Sequence, residues 1–208
     1  MLLGKSMLEN KYELEYWAKD QYVMGIDEAG RGPLCGPLVV ACCILPLNYI
    51  NEDINDSKKL TAKKRETLYG TIVKDAHYFD IKVVSPEEID SLNIYAATKK
   101  AMDELSKSSK IHSLTITDAM PLNRYDVVDM VKGDAKSISV AAASIIAKVT
   151  RDRIMDEYDK MYPQYEFSKH KGYPTKRHLE LMKEYGLIKG LYRMSYKPCK
   201  DVNEIKLF

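Results

Sequence analysis

Four acidic residues stand where buried strands are expected to end. Asp27 and Glu28 follow the apolar run Tyr22-Val23-Met24-Gly25-Ile26, Asp118 follows Leu114-Thr115-Ile116-Thr117, and Asp134 follows the short run from Val127 to Val131. Apolar strands bring acids together only where their ends meet, and crowded carboxylates repel unless cations hold them. Any one of these acids could simply cap a helix or a loop. As a set they point to a Mg²⁺ or Mn²⁺ site. Two hard cations about 4 Å apart would form the phosphoryl-transfer arrangement, one activating water and one holding the leaving oxygen.

Three further segments could serve such a site. Gly30-Arg31-Gly32-Pro33 puts bare backbone beside the first acids, where amide groups can approach a sugar or phosphate closely. It is not a dinucleotide loop. The spacing Gly30-x-Gly32-x-x-x-Gly36 misses G-x-G-x-x-G, and Pro33 and Pro37 spoil the helix that should follow. Asp56-Ser57-Lys58-Lys59-Leu60 sets a basic pair on a loop before a helix, suited to phosphates or to plain solvent exposure. His170-Lys171-Gly172-Tyr173-Pro174-Thr175 packs donors, an aromatic face and turn residues into six positions, a cluster that can stack on a nucleotide and grip its phosphates.

These segments need a frame. Ser6 to Lys19 reads as a short helix, Tyr22 to Ile26 and Leu38 to Leu45 as neighbouring antiparallel strands joined by a wide loop, and Thr61 to Lys74 as a helix. Tyr78 to Val84 is a third strand. Ser85-Pro86-Glu87-Glu88 is a helix start, with a Ser cap, Pro in first position and Glu in third, and the helix should run to about Ser106. Leu114 to Thr117 and Val127 to Val131 complete the strands. Ser139 opens a long helix to about Tyr162, and Thr175 to Tyr185 is another. The pattern is a mixed α/β sheet flanked by helices, followed by a helical C-terminal part. It divides into an N-terminal helical extension (1–20), a core (21–162) and a basic helical part of the same domain (163–208).

Composition agrees with a folded, water-soluble chain. Of 208 residues, 45% are apolar and 30% charged, and the net charge is only +2. No apolar run approaches 18 residues, and Glu9 and Glu13 follow the first few residues closely, so neither a membrane span nor a secretory signal is expected and the cytosol is the expected compartment. Cys35, Cys42, Cys43 and Cys199 contain no C-x-x-C pair and read as buried reduced thiols. Charge is uneven. From Pro163 onward ten Lys and Arg stand against five Asp and Glu, whereas the rest of the chain holds 22 against 25. A basic tail beside a slightly acidic body suits a polyanion next to a cation centre, although a solvated basic face would look the same.

Five blocks resemble the type 2 ribonuclease H family: Gly25-Ile26-Asp27-Glu28-Ala29-Gly30-Arg31-Gly32-Pro33, Asn55 to Leu60, Lys132-Gly133-Asp134, Ala142 to Asp152, and His170 to Thr175. They lie in order between about Tyr22 and Tyr196. The resemblance implies an RNase H-like fold and cleavage of the RNA strand of RNA–DNA hybrids, and also 5′ of a single ribonucleotide in duplex DNA, leaving 3′-OH and 5′-phosphate ends. It implies Mg²⁺ or Mn²⁺ on Asp27, Glu28, Asp118 and Asp134, and no organic cofactor. It further implies that Gly30, Arg31 and Gly32 read the ribose 2′-OH beside Tyr173, with Ser57, Lys58, Lys59 and Lys171 as further substrate contacts. A monomer is expected. Two points stand apart. Arg193-Met194-Ser195-Tyr196 replaces the family's Arg-Arg-Ser-Phe, and Asp152, four residues from Lys148, reads as a helix-face ion pair rather than a metal ligand. The competing identities are a type 3 ribonuclease H, which normally carries a large domain where only 26 residues precede Asp27 here, and a catalytically silent hybrid-binding module.

Overall fold

Five strands form one mixed sheet in the order β3-β2-β1-β4-β5. The computed structural model describes residues 8–55, 57 and 60–205. The strands are β1 (Tyr22–Ala29), β2 (Leu38–Ile44), β3 (Tyr78–Val84), β4 (His112–Asp118) and β5 (Val127–Met130). As expected, β1 and β2 pair antiparallel, and β2 pairs antiparallel with β3. On the other side, β1 runs parallel to β4 and β4 to β5.

The continuous apolar run of β2 is explained by cover on both faces. Val39, Ala41 and Cys43 pack under α2 (Ala62–Asp75) and α5 (Ile138–Met161), while Leu38, Val40, Cys42 and Ile44 pack under α3 (Pro86–Leu92) and α4 (Ile94–Leu105). Glycine brings α5 directly onto β1. A Cβ at Gly25 would lie 2.1 Å from the carbonyl carbon of Ser139 and 2.3 Å from the nitrogen of Val140. The C-terminal elements gather around a separate cluster that includes Leu34, Met155, Phe167, Met182 and Tyr192. They are α6 (Phe167–His170), α7 (Lys176–Tyr185) and α8 (Lys197–Ile205). All four cysteines are buried free thiols, and burial pushes Cys35, Cys42 and Cys199 up to about 12. Among the described residues no helix is long and apolar enough to cross a membrane.

The structure departs from the sequence expectations in four places. The strand carrying the first acids runs on to Ala29, so Asp27 and Glu28 lie within it, paired with Ala41 and Val40, rather than after it. The helix from Ser85 stops at Leu92. Asn93, at φ 68°, turns the chain and its side chain accepts a hydrogen bond from the Ala96 N–H, so it caps a second helix instead of continuing the first. The long helix starts at Ile138 because Ser137, not Ser139, takes the cap position and accepts from the Val140 N–H. Within the expected helical C-terminal part, the sequence pattern marks only the helix from Thr175, and α6 and α8 add two shorter helices to it. The first helix, α1, spans Lys11–Trp17, inside the expected range.

Candidate active site

Strand register brings the acids together. Ile26 pairs with Thr117 across the parallel β1–β4 ladder, which sets Asp27 and Asp118 side by side. After β5 the chain reverses through Lys132 in the left-handed region (φ 58°), and a single 3₁₀ turn, Gly133–Ala135, carries Asp134 back toward them. The Gly133 N–H donates to Asp118 Oδ1 at 2.8 Å and ties this turn to the end of β4. As a result, one carboxylate oxygen from each of Asp27, Asp118 and Asp134 lies within 4.8 Å of the others.

Asp27 and Asp134 are buried and Asp118 is half-buried. Burial pushes the Asp27 carboxyl well above the usual carboxylate range, and the charges of Glu28 and Asp118 push it in the same direction. Two hydrogen bonds oppose this, one from the Ser144 hydroxyl and one from the Glu28 N–H at 2.7 Å. Ser57 Oγ lies 2.9 Å from Ser144 Oγ, so with Ser144 donating to Asp27, Ser57 donates to Ser144. Three carboxylates crowded this closely repel one another, and their oxygens are a donor set that fits a hard divalent cation, whose charge would relieve the repulsion.

Asp27 and Asp118 line a cleft of about 230 Å³. Glu28, the Gly30–Gly32 loop and Ser57 form part of its wall, and Tyr173, 42% exposed, stands across from Gly32. Ser144 and Lys148 also face it, from one side of α5. Sequence reading places neither of them in the site. Their signal is a Ser and a Lys four residues apart, on one helix face, in an otherwise apolar stretch. Lys148 pairs with Asp152 at 2.6 Å, the helix-face ion pair expected for that acid. Lys171 does not line this cleft. Its ammonium pairs with Asp156 and reaches the Asp152 carbonyl at 3.4 Å. Lys58 and Lys59 lie outside the described residues.

The Asp27 environment has a consequence for stability. A carboxyl whose native pKa is raised contributes stability that is fully present below its unfolded value, roughly 3.9, and lost as pH rises through the raised native value. In EDTA at pH 7.5, Asp27→Asn should therefore melt above the wild type by ~3 °C or more, at roughly 2–4 °C per kcal/mol for a chain of this size. The gap should close toward pH 4, and Mg²⁺ or Mn²⁺ should raise the melting temperature of the wild type only. Equal melting of the two proteins in EDTA from pH 4 to 8 would contradict the crowding.

A mixed five-stranded sheet of this order, with acids meeting from the adjacent strands β1 and β4, matches the ribonuclease H-like α/β fold. Comparison with known proteins narrows the class. The family model for ribonuclease HII matches residues 24–199. The chain is 50% identical to a ribonuclease HII of Bacillus cytotoxicus, over 89% of this chain and 72% of that protein. It is 49% identical to one from Francisella tularensis subsp. novicida, over 86% and 97%. The crystal structure of ribonuclease H2 from Pyrococcus horikoshii superposes with a TM-score of 0.76 at 28% identity, covering 88% of this chain and 98% of that one. The chain belongs to the ribonuclease HII family, and its class of activity is that of a type 2 ribonuclease H.

Proposed function

We propose that the chain cleaves the RNA strand of RNA–DNA hybrids and also cuts 5′ of a single ribonucleotide embedded in duplex DNA. The observation that carries this reading is the convergence of the acidic cluster, the Gly30–Gly32 loop and Tyr173 on one cleft. Asp27, Glu28, Asp118 and Asp134 would hold Mg²⁺ or Mn²⁺. Bound there, two such ions supply an acidified water and stabilise charge on the leaving oxygen. The chain's own residues set the geometry. Ser144, supported by Ser57, fixes the orientation of Asp27. The bare backbone of Gly30 to Gly32 lets a ribose approach without a side-chain clash. The water oxygen bonds to phosphorus in line as the bond to the 3′ oxygen breaks, leaving 3′-OH and 5′-phosphate ends. Incubating the protein with a DNA duplex that holds one ribonucleotide, in Mg²⁺, Mn²⁺ or EDTA, tests the reading. A single nick 5′ of the ribonucleotide with metal and none in EDTA is the expected result. Cleavage that continues in EDTA, or none in either metal, would contradict it.

Tyr173 is assigned the sugar next to the cut. It sits between the left-handed Gly172 (φ 83°) and Pro174, and its backbone carbonyl is held by His178 Nδ1 at 2.9 Å, so the ring is presented outward from a fixed turn. Stacking of this kind is worth about 1–3 kcal/mol, so Tyr173→Ala should slow single-ribonucleotide cleavage roughly tenfold to a hundredfold. Tyr173→Phe should retain most of the activity because the ring face makes the contact. If Tyr173→Ala slowed cleavage of all-RNA hybrids equally and clearly lowered the melting temperature, the ring would be a packing residue instead.

A further inference from the structure

Two arginines lie buried behind the Gly30–Gly32 loop. Arg193 is 0% and Arg151 1% exposed, and among the described residues neither has a carboxylate within ion-pair distance. Their partners are backbone carbonyls. Arg193 Nη2 donates to Gly30 O at 2.6 Å and to Gly36 O at 3.0 Å, and Nη1 donates to Arg31 O at 3.0 Å. Arg193 Nη1 also reaches the Tyr196 hydroxyl at 3.1 Å, which itself donates to Arg31 O at 2.9 Å. Arg151 donates to Pro37 O at 3.0 Å and Cys35 O at 3.2 Å, and ties that segment to the turn before Tyr173 through Lys171 O at 3.0 Å. The segment carrying Arg193 is itself pinned, because Asp90 accepts from the N–H groups of Met194 at 2.7 Å and Ser195 at 3.0 Å.

A buried cation without a counter-ion costs free energy unless hydrogen bonds satisfy it. For Arg193 two of the satisfying groups, Gly30 O and Arg31 O, are carbonyls of the loop that walls the cleft. In a trans peptide the N–H points opposite to the C=O of the preceding residue. Turning the carbonyls of Gly30 and Arg31 inward to Arg193 therefore turns the N–H groups of Arg31 and Gly32 the other way, toward the cleft that both residues line. We propose that Arg193, aided by the Tyr196 hydroxyl, is a positioning residue for sugar discrimination: its hold on Gly30 O and Arg31 O presents two successive backbone donors to a ribose hydroxyl. This deepens the proposed function and rests on that reading of the cleft.

Binding without turnover provides the test. In an Asp118→Asn background, dissociation constants are measured by fluorescence anisotropy for an all-DNA duplex and for the same duplex with one ribonucleotide. Arg193→Lys keeps the charge, but an ammonium cannot reproduce the planar fork that spans three carbonyls. With two donors misaligned, its preference for the ribonucleotide duplex should fall roughly tenfold to thirtyfold. Its affinity for the all-DNA duplex should change less than about twofold, since that duplex offers no hydroxyl to lose. Tyr196→Phe keeps the ring and removes one hydroxyl, so its preference should fall about twofold to threefold. If Arg193→Lys does not fold, Tyr196→Phe decides alone. A preserved preference in the variants, or equal weakening on both duplexes, would overturn the positioning role. No preference in the Asp118→Asn parent would overturn the ribonucleotide reading and the positioning role with it, a distinct outcome.

Discussion

Asp27→Asn and Asp118→Asn should each lose cleavage by at least roughly a thousandfold while still binding an RNA–DNA hybrid. The motive is the separation of tasks in the cleft. One oxygen from each of Asp27, Asp118 and Asp134 meets within 4.8 Å, whereas the groups proposed to meet the substrate sugars, Gly30 to Gly32 and Tyr173, line the cleft apart from that cluster. Asn is close to Asp in shape and keeps one oxygen, but it removes the charge that attracts a cation. Losing that hold should cost several kcal/mol of transition-state stabilisation, and roughly 4 kcal/mol is a factor of a thousand. Single-turnover cleavage at saturating Mg²⁺, with hybrid affinity measured alongside, checks both halves. Near-wild-type turnover in either variant would sink the metal assignment, and lost binding would show that the acids also shape the substrate surface. Asp27→Asn carries an additional expectation, since the same change should raise stability in EDTA. Higher stability together with lost activity is the signature of a strained functional carboxylate rather than a structural one.

Gly25→Ala should be the most damaging single methyl group in the core. The new Cβ would have to enter the backbone of α5, 2.1 Å from the Ser139 carbonyl carbon and 2.3 Å from its oxygen. No side chain can rotate out of the way, so β1 and α5 must separate. Overpacking of this kind costs about 3 kcal/mol, which corresponds to a fall in melting temperature of roughly 6–12 °C. Activity should fall further than stability, because α5 carries Ser144 and β1 carries Asp27, and their hydrogen bond spans the interface being opened. Gly70→Ala is the matched control. It lies within α2 with nothing inside 4 Å of a new Cβ, so it should be neutral or stabilise by about 0.5–1 kcal/mol. A Gly25→Ala protein melting within about 2 °C of wild type would mean that the helix has room to yield.

The basic tail shows how far charge counting reaches. The excess of Lys and Arg after Pro163 is real, but much of it faces inward or is paired. Arg193 is buried among carbonyls, Lys169 and Arg177 share Glu166 at 2.8 and 2.7 Å, and Lys171 is held by Asp156. Those two cations draw the Glu166 carboxyl down to about 2. Composition records charges, whereas only packing decides which of them remain available to a polyanion.

What the sequence determined by itself was local or periodic. The apolar runs of β1, β2 and β4, the Ser cap of α3, the helices from Thr61 and Thr175, and the Asp27, Asp118 and Asp134 positions at or near strand ends were all legible, because side-chain alternation and capping act over a few residues. The break at Asn93 was hidden because a left-handed Asn and a helical Asn read alike along the chain. Three features were decided only by the tertiary structure: the approach of α5 to Gly25, the bonding of Ser57 and Ser144 behind Asp27, and the turning of Arg193 onto Gly30 O and of Arg151 onto Pro37 O. Each joins residues more than 80 positions apart. Such contacts depend on how the sheet stacks against its helices, and no pattern within a single element encodes that distance.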